Sequence, residues 1–108
     1  MDFTDKIVVL VTTDGEEEAK KIAELLVDKK KAACVNIVPR VNSTFWWQGE
    51  IDSAHECLLV IKSKASLLPK ITDLIKGMHS YEVPEIIALP IIGGNDDYLK
   101  WIDNEVQE

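Results

Sequence analysis

The 108-residue sequence predicts an α+β domain on the ferredoxin-like split β-α-β-β-α-β plan. A long hairpin joins its second and third strands, and a helix is added at the C-terminus. Three features carry this reading. The hydrophobic periodicity alternates between two and about 3.6 along the chain. Turn residues fall where the period changes, and no repeat, linker or biased segment interrupts the order, so 1–108 reads as a single domain.

Residues 6–13 (KIVVLVTT) form a β-branched run closed by Asp14-Gly15, a strand ending at a helix start. Thr13-x-x-Glu16 or Asp14-x-x-Glu17 offers a capping box there. The first helix, over 16–30, carries Ala19, Ile22, Ala23 and Leu26 as its apolar stripe. Three glutamates sit at its positive end and three lysines at its negative end. A second strand over 32–38 (AACVNIV) is stopped or bent at Pro39, and 41–48 (VNSTFWWQ) resumes the extended pattern to a turn at Gly49-Glu50. The third strand covers 54–63, and the second helix spans 67–78 with Pro69 in its first turn, where a missing N–H costs little. After the loop 77–85 come a fourth strand over 86–92, the turn Gly93-Gly94-Asn95 and a terminal helix over 96–106.

Two features do not suit a monomer. Both long helices of this plan cover one sheet face, yet 7–11, 57–61 and 86–92 are apolar at odd and even positions alike, so the second face also wants a cover. The arm over 32–48 has seventeen positions and at about 3.3 Å each could reach roughly 56 Å. A compact chain of this length has a radius of gyration of about 13 Å. The arm therefore projects, or Pro39 folds it back as a lid. Projecting, its Phe45, Trp46 and Trp47 make an interaction device, expected at the contacts of an assembly.

Twelve Lys plus Arg against 19 Asp plus Glu give a net charge of -7, which argues against binding to nucleic-acid phosphates. An RNA-reading sheet needs stacking aromatics on its central strands, and these strands carry Val8, Val9, Leu10, Val11, Leu58, Leu59 and Val60. A metallochaperone of this plan needs a CxxC loop after the first strand, and 12–16 holds no thiol. The longest apolar stretch, 7–11, is far short of the roughly 20 residues of a membrane helix. With no secretory leader at Met1 to Lys6, the mature chain is expected to begin near Met1 and to reside in the cytoplasm, with Cys34 and Cys57 reduced.

Ligand-type residues are scattered. His55-x-Cys57 places two on one strand face, where they grip a soft metal or stand as a solvated imidazole and a packed thiol. Cys34, between Ala33 and Val35, reads as a packed thiol. The loop His79-Ser80-Tyr81-Glu82-Val83-Pro84-Glu85 is denser, with an imidazole, a phenol and two carboxylates. His79 there either supports the end of the second helix or binds a cation or moves a proton.

Ala32-Ala33-Cys34-Val35-Asn36-Ile37, Ser43-x-Phe45-x-Trp47-x-Gly49-x-Ile51, Glu56-x-x-x-x-Ile61-Lys62, His79-x-Tyr81-Glu82-Val83-Pro84-Glu85 and Tyr98-Leu99-x-Trp101 stand in order. Together they resemble the CutA divalent-cation tolerance family, from about residue 7 to residue 106. The resemblance implies a ferredoxin-like protomer, a tight homotrimer resembling the PII signalling proteins, association with copper and other divalent cations, and no enzymatic activity. It carries over His79 as a metal ligand, with Cys34 as a secondary candidate. Departures weaken the site: Val11 stands where members with a proposed copper site have a thiol, and Met78, a soft donor for Cu(I), where they have a second His. Phe45 replaces a common Tyr, and Ser80 a common Pro. The alternative is a ligand-sensing trimer, with inter-subunit clefts lined by Lys62, His79, Tyr81, Glu82 and Glu85 around a small polar metabolite. A third reading is an acid/base enzyme using His79 with Glu85.

Overall fold

The structure, a computed structural model, describes residues 4–108; the expected start at Met1 lies outside them. The chain runs β1 (Lys6–Thr13), α1 (Glu16–Asp28), β2 (Cys34–Trp47), β3 (Glu50–Lys64), a 3-10 turn (Ala65–Leu67), α2 (Leu68–Lys76), β4 (Ile86–Pro90) and α3 (Asp96–Glu105). The sheet is antiparallel with strand order β2-β3-β1-β4. This is the order the split β-α-β-β-α-β plan requires.

Strand period two separates two faces. Ile7, Val9 and Val11 of β1 and Cys57, Leu59 and Ile61 of β3 are buried in one cluster with Ala19, Ile22 and Leu26 of α1 and Ile71 and Ile75 of α2. The other face holds Leu10, Leu58 and Val60, half-buried, and Val38, Ile87 and Leu89, exposed. The terminal helix covers one end of it. Ile102 is fully buried, and Asp103 bonds Lys64 at 3.1 Å and reaches Lys6 at 3.6 Å, two lysines that face each other across β1 and β3. The Lys64 bond, then the charges of Lys64 and Lys6, hold the Asp103 carboxyl below its ordinary range. The rest of that face stays open in the single chain.

The arm projects. β2 and β3 stay paired to Trp47↔Glu50, and the described residues extend 44 × 31 × 23 Å with a radius of gyration of 14.4 Å. The lid alternative is thereby excluded. Pro39 does not stop the strand. It sits with Arg40 in a bulge, where these two residues stand opposite Cys57 alone, between Val38↔Leu58 and Val41↔Glu56. An edge strand tolerates the missing N–H there, and the freed Pro39 carbonyl accepts from Cys57 Sγ at 3.2 Å. Beyond the bulge, Val41, Ser43, Phe45 and Trp47 share the face of Glu56, while Trp46 pairs with Ile51 on the other side.

Several element ends differ from expectation. The hairpin turn is Gln48-Gly49, not Gly49-Glu50, with φ of 49° and 82°, the two left-handed positions of a tight I′ hairpin. No side chain caps α1; Gly15 is its N-cap, and Thr13 Oγ1 donates to the Gly15 carbonyl instead. The expected capping box is absent because Thr13 lies inside the strand, two residues before the cap. The helix ends at Asp28, ahead of its three lysines, as Lys30 turns to φ 58°. The second helix opens as a 3-10 turn and closes at Lys76, and β4 ends at Pro90.

Candidate functional site

The loop after α2 carries the best-built polar cluster. Its first residue is tied to the helix end, with His79 N–H donating to Ile75 O at 2.8 Å. Pairing of β4 with β1 stops at Val11↔Ile86, and beyond it the Thr12 carbonyl is taken by His79 Nε2 at 2.7 Å. His79 Nδ1 accepts the Tyr81 N–H at 3.0 Å. Nδ1 also lies 3.4 Å from Glu18 Oε1, and the side chain is 0% exposed. Ser80 next donates its N–H and its hydroxyl to the two oxygens of Glu18, at 2.6 and 2.9 Å. Tyr81 then donates its hydroxyl to Glu56 Oε2 at 2.8 Å, its ring 4.8 Å from the imidazole. Burial, and after it the Glu56 bond and charge, push the Tyr81 phenol well up.

This loop forms one wall of an open cleft of about 780 Å³ whose other wall is the arm. Tyr81, Glu82, Val83 and Glu85 face Phe45, Trp47 and Asp52, with Glu56, Asp14 and Thr12 at the base of the arm. Five carboxylates line it (Asp14, Asp52, Glu56, Glu82 and Glu85), and no Lys, Arg or His.

The sequence-named residues thus separate into three places. Tyr81, Glu82 and Glu85 meet in the cleft together with Phe45 and Trp47 of the arm. Trp46 points away and is 72% exposed. Lys62 is elsewhere. It pairs across the sheet with Cys34, and its ammonium donates to Asn36, while Cys34 makes a long 3.9 Å contact with the same amide. Cys34 lies four register positions along β3 from the level of Thr12, and Met78 sits exposed at the end of α2. The proposed metal set His79, Cys34 and Met78 is therefore not assembled within this chain, and no group of three or more His, Cys, Asp or Glu poised to hold a metal occurs among the described residues. His79 and Glu85 do not form an acid/base pair either, since both imidazole nitrogens are engaged by backbone.

His55 and Cys57 part company too. His55 is exposed and bonded through Nδ1 to Asn42, whereas Cys57 is buried, its thiol pushed up chiefly by burial and next by the Glu16 charge. Cys34 and Cys57 are free thiols on opposite sheet faces. Glu56, named from sequence only as part of a family motif, and Glu18, not singled out at all, organise the cluster. Glu18 reads there as one of three acids at a helix start. The Ser80 substitution was the available signal, because a Pro at that position has no N–H to give Glu18.

Residues 7–105 match the model of the CutA1 divalent ion tolerance protein family. The chain belongs to that family. It is 48% identical over 102 residues to protein CutA 1, chloroplastic, of rice, a match covering 94% of this chain and 58% of the rice protein, so the chain spans little more than half of that relative's length. It is also 48% identical over 95 residues to the divalent-cation tolerance protein CutA of Thermus thermophilus, covering 88% and 92% of the two. Among solved structures, rice CutA1 superposes with a TM-score of 0.94 at 46% identity over 98% and 97% of the two chains. The periplasmic divalent cation tolerance protein CutA of Archaeoglobus fulgidus superposes at 0.92 and 40% over 94% and 99%.

These CutA relatives overturn one expectation. A cytoplasmic location was read from the first residues, but the rice and Arabidopsis proteins are named chloroplastic and the Archaeoglobus one periplasmic, so the CutA fold is not tied to the cytoplasm. No helix among the described residues is long and apolar enough to cross a membrane.

Proposed function

We propose that this CutA1-family protein is a non-catalytic homotrimer that takes up divalent cations weakly, copper foremost, in the acidic cleft between arm and loop. The observation that carries the reading is the lining: five carboxylates are spread along the cleft walls, with no basic side chain among them and no preformed group of three ligands among the described residues. Such a wall attracts cations and repels an anionic metabolite. Oxygen donors accept hard divalent ions, yet for a given donor set affinity still peaks at Cu²⁺ among the first-row metals, so the copper preference does not need a thiol. The family name, and that of the Thermus relative, point the same way. No thiol, imidazole or amine lines the cleft, and its most buried carboxylate, Glu56, is already bonded to Tyr81, a lining that suits binding rather than catalysis. The homotrimer is supported by the open apolar face around Val38, Ile87 and Leu89 and by the arm aromatics.

Titration calorimetry with Cu²⁺, Zn²⁺ and Mg²⁺ tests the cation reading. Copper is expected to bind most tightly and to weaken clearly in the double variant Glu82→Gln/Glu85→Gln; unchanged affinity in that variant overturns the cleft as the site. Sedimentation equilibrium at micromolar concentration tests the assembly, and a stable folded species of 12.1 kDa refutes it.

A further inference from the structure

We infer that the pocket between the start of α1 and the bulge of the arm binds a small zwitterion, a molecule carrying one carboxylate and one ammonium group. The pocket has a volume of about 430 Å³, with Asp14 and Glu16 on the helix side, Pro39, Arg40 and His55 on the arm side, and Cys57 buried at its floor. That volume suits a small ligand. The pocket is distinct from the acidic cleft, which Glu16, Arg40, His55 and Cys57 do not line, so the inference does not depend on the cation reading. It is the bulge that builds the arm side. In a regular strand, Pro39 and Arg40 would point to opposite faces. Here both stand opposite Cys57, on the helix side of the sheet, and both line the pocket. The one arginine of the sequence is thereby aimed toward the start of α1.

Arg40 makes no ion pair among the described residues, although Asp14 and Glu16 share its pocket. Opposite charges that face one concavity without closing on each other leave a place for both halves of a zwitterion. The guanidinium fork matches a carboxylate, and Asp14 and Glu16 match an ammonium group. Neither kind of simple ion balances the lining: the two acids repel a phosphate or a dicarboxylate, and Arg40 repels a bare metal ion. His55 is tied through Nδ1 to Asn42, which holds its ring on the arm wall. The Cys57 thiol donates to the Pro39 carbonyl at 3.2 Å and is pushed up first by burial and then by the Glu16 charge. It is therefore a neutral floor for the aliphatic carbons of the ligand.

The experiment follows the backbone amide shifts of the isotope-labelled full chain during titration with glycine, γ-aminobutyrate and ε-aminocaproate. Each is compared with the acid and the amine that lack its second charge. At least one zwitterion should shift the amides of Gly15, Glu16, Arg40 and His55 saturably. It should bind about fivefold more tightly than either singly charged counterpart, the upper range for one exposed ion pair. Arg40→Gln should weaken the zwitterion and the acid by a similar factor and spare the amine, whereas Glu16→Gln should weaken the zwitterion and the amine and spare the acid. Both residues are exposed, so both variants should keep the wild-type amide spectrum away from the pocket. Absence of a saturable shift at those four amides with all three zwitterions overturns the inference. So does equal binding of a zwitterion and its singly charged counterparts, or an Arg40→Gln protein that binds as the wild type does.

Discussion

At the scale of residues, the Tyr81–Glu56 contact shows how much depends on one hydroxyl. Glu56 is only 8% exposed, and its Oε2 accepts from Tyr81 at 2.8 Å. Removing the donor leaves a carboxylate in a poorly solvated place, so Tyr81→Phe should cost about 1–3 kcal/mol, read from urea unfolding at pH 7. The phenol also makes stability depend on pH. Its folded value lies above the ordinary tyrosine value, owing first to burial and then to Glu56. Its contribution is therefore complete below about pH 10, where an unfolded tyrosine titrates, and is lost as pH rises through the folded value. Melting temperatures from pH 9 to 12 should fall less steeply in Tyr81→Phe than in wild type; parallel curves would refute the assignment. The sequence marked 79–85 as dense in chemistry, and Tyr81, Glu82 and Glu85 do share one cleft. It could not show what His79 does, because its partner Thr12 is 67 positions away and Ser80 and Tyr81 reach partners 62 and 25 positions away. Local periodicity is silent about backbone carbonyls left over where a strand stops pairing.

At the scale of elements, period and turn chemistry located every strand and helix, and the errors lie at their ends. Two of those ends are testable. Gly49 has φ 82° with nothing within 4 Å of where a Cβ would stand. Gly49→Val should thus cost about 1–2 kcal/mol through backbone conformation alone, measured by chemical denaturation; no loss would mean the turn relaxes freely. The tether of α3 depends on charge. Asp103 is held below its ordinary range by Lys64 and Lys6, so its contribution is present above about pH 4, the unfolded carboxyl value, and is lost as pH falls through the lower folded value. Asp103→Asn should melt below wild type at pH 7 and converge with it as the carboxyl is protonated in acid. A gap that persists in acid would point to packing rather than charge. The Pro39 bulge was out of reach of the sequence, since a proline inside an alternating run reads equally as a stop, a bend or an edge-strand bulge.

At the scale of the whole molecule, one sheet face is finished by α1 and α2 and the other only at the end covered by α3. Leu89, 49% exposed on the open part, should tolerate Glu well in a monomer and badly in an assembly. Leu89→Glu is therefore expected to shift sedimentation toward the single chain and to make the melting temperature depend on protein concentration; an unchanged mass would exclude that face from the interface. The arm adds a different kind of information. Because two residues oppose one at Pro39 and Arg40, the alternation of β2 slips there by half a cycle. Odd-numbered side chains look toward the helices before the slip and toward the cleft after it. The bulge is thus a phase shifter between two surfaces that would otherwise be locked together. The core reads Val35 and Ile37, the cleft reads Phe45 and Trp47, and either surface can change its sequence without moving the other out of step.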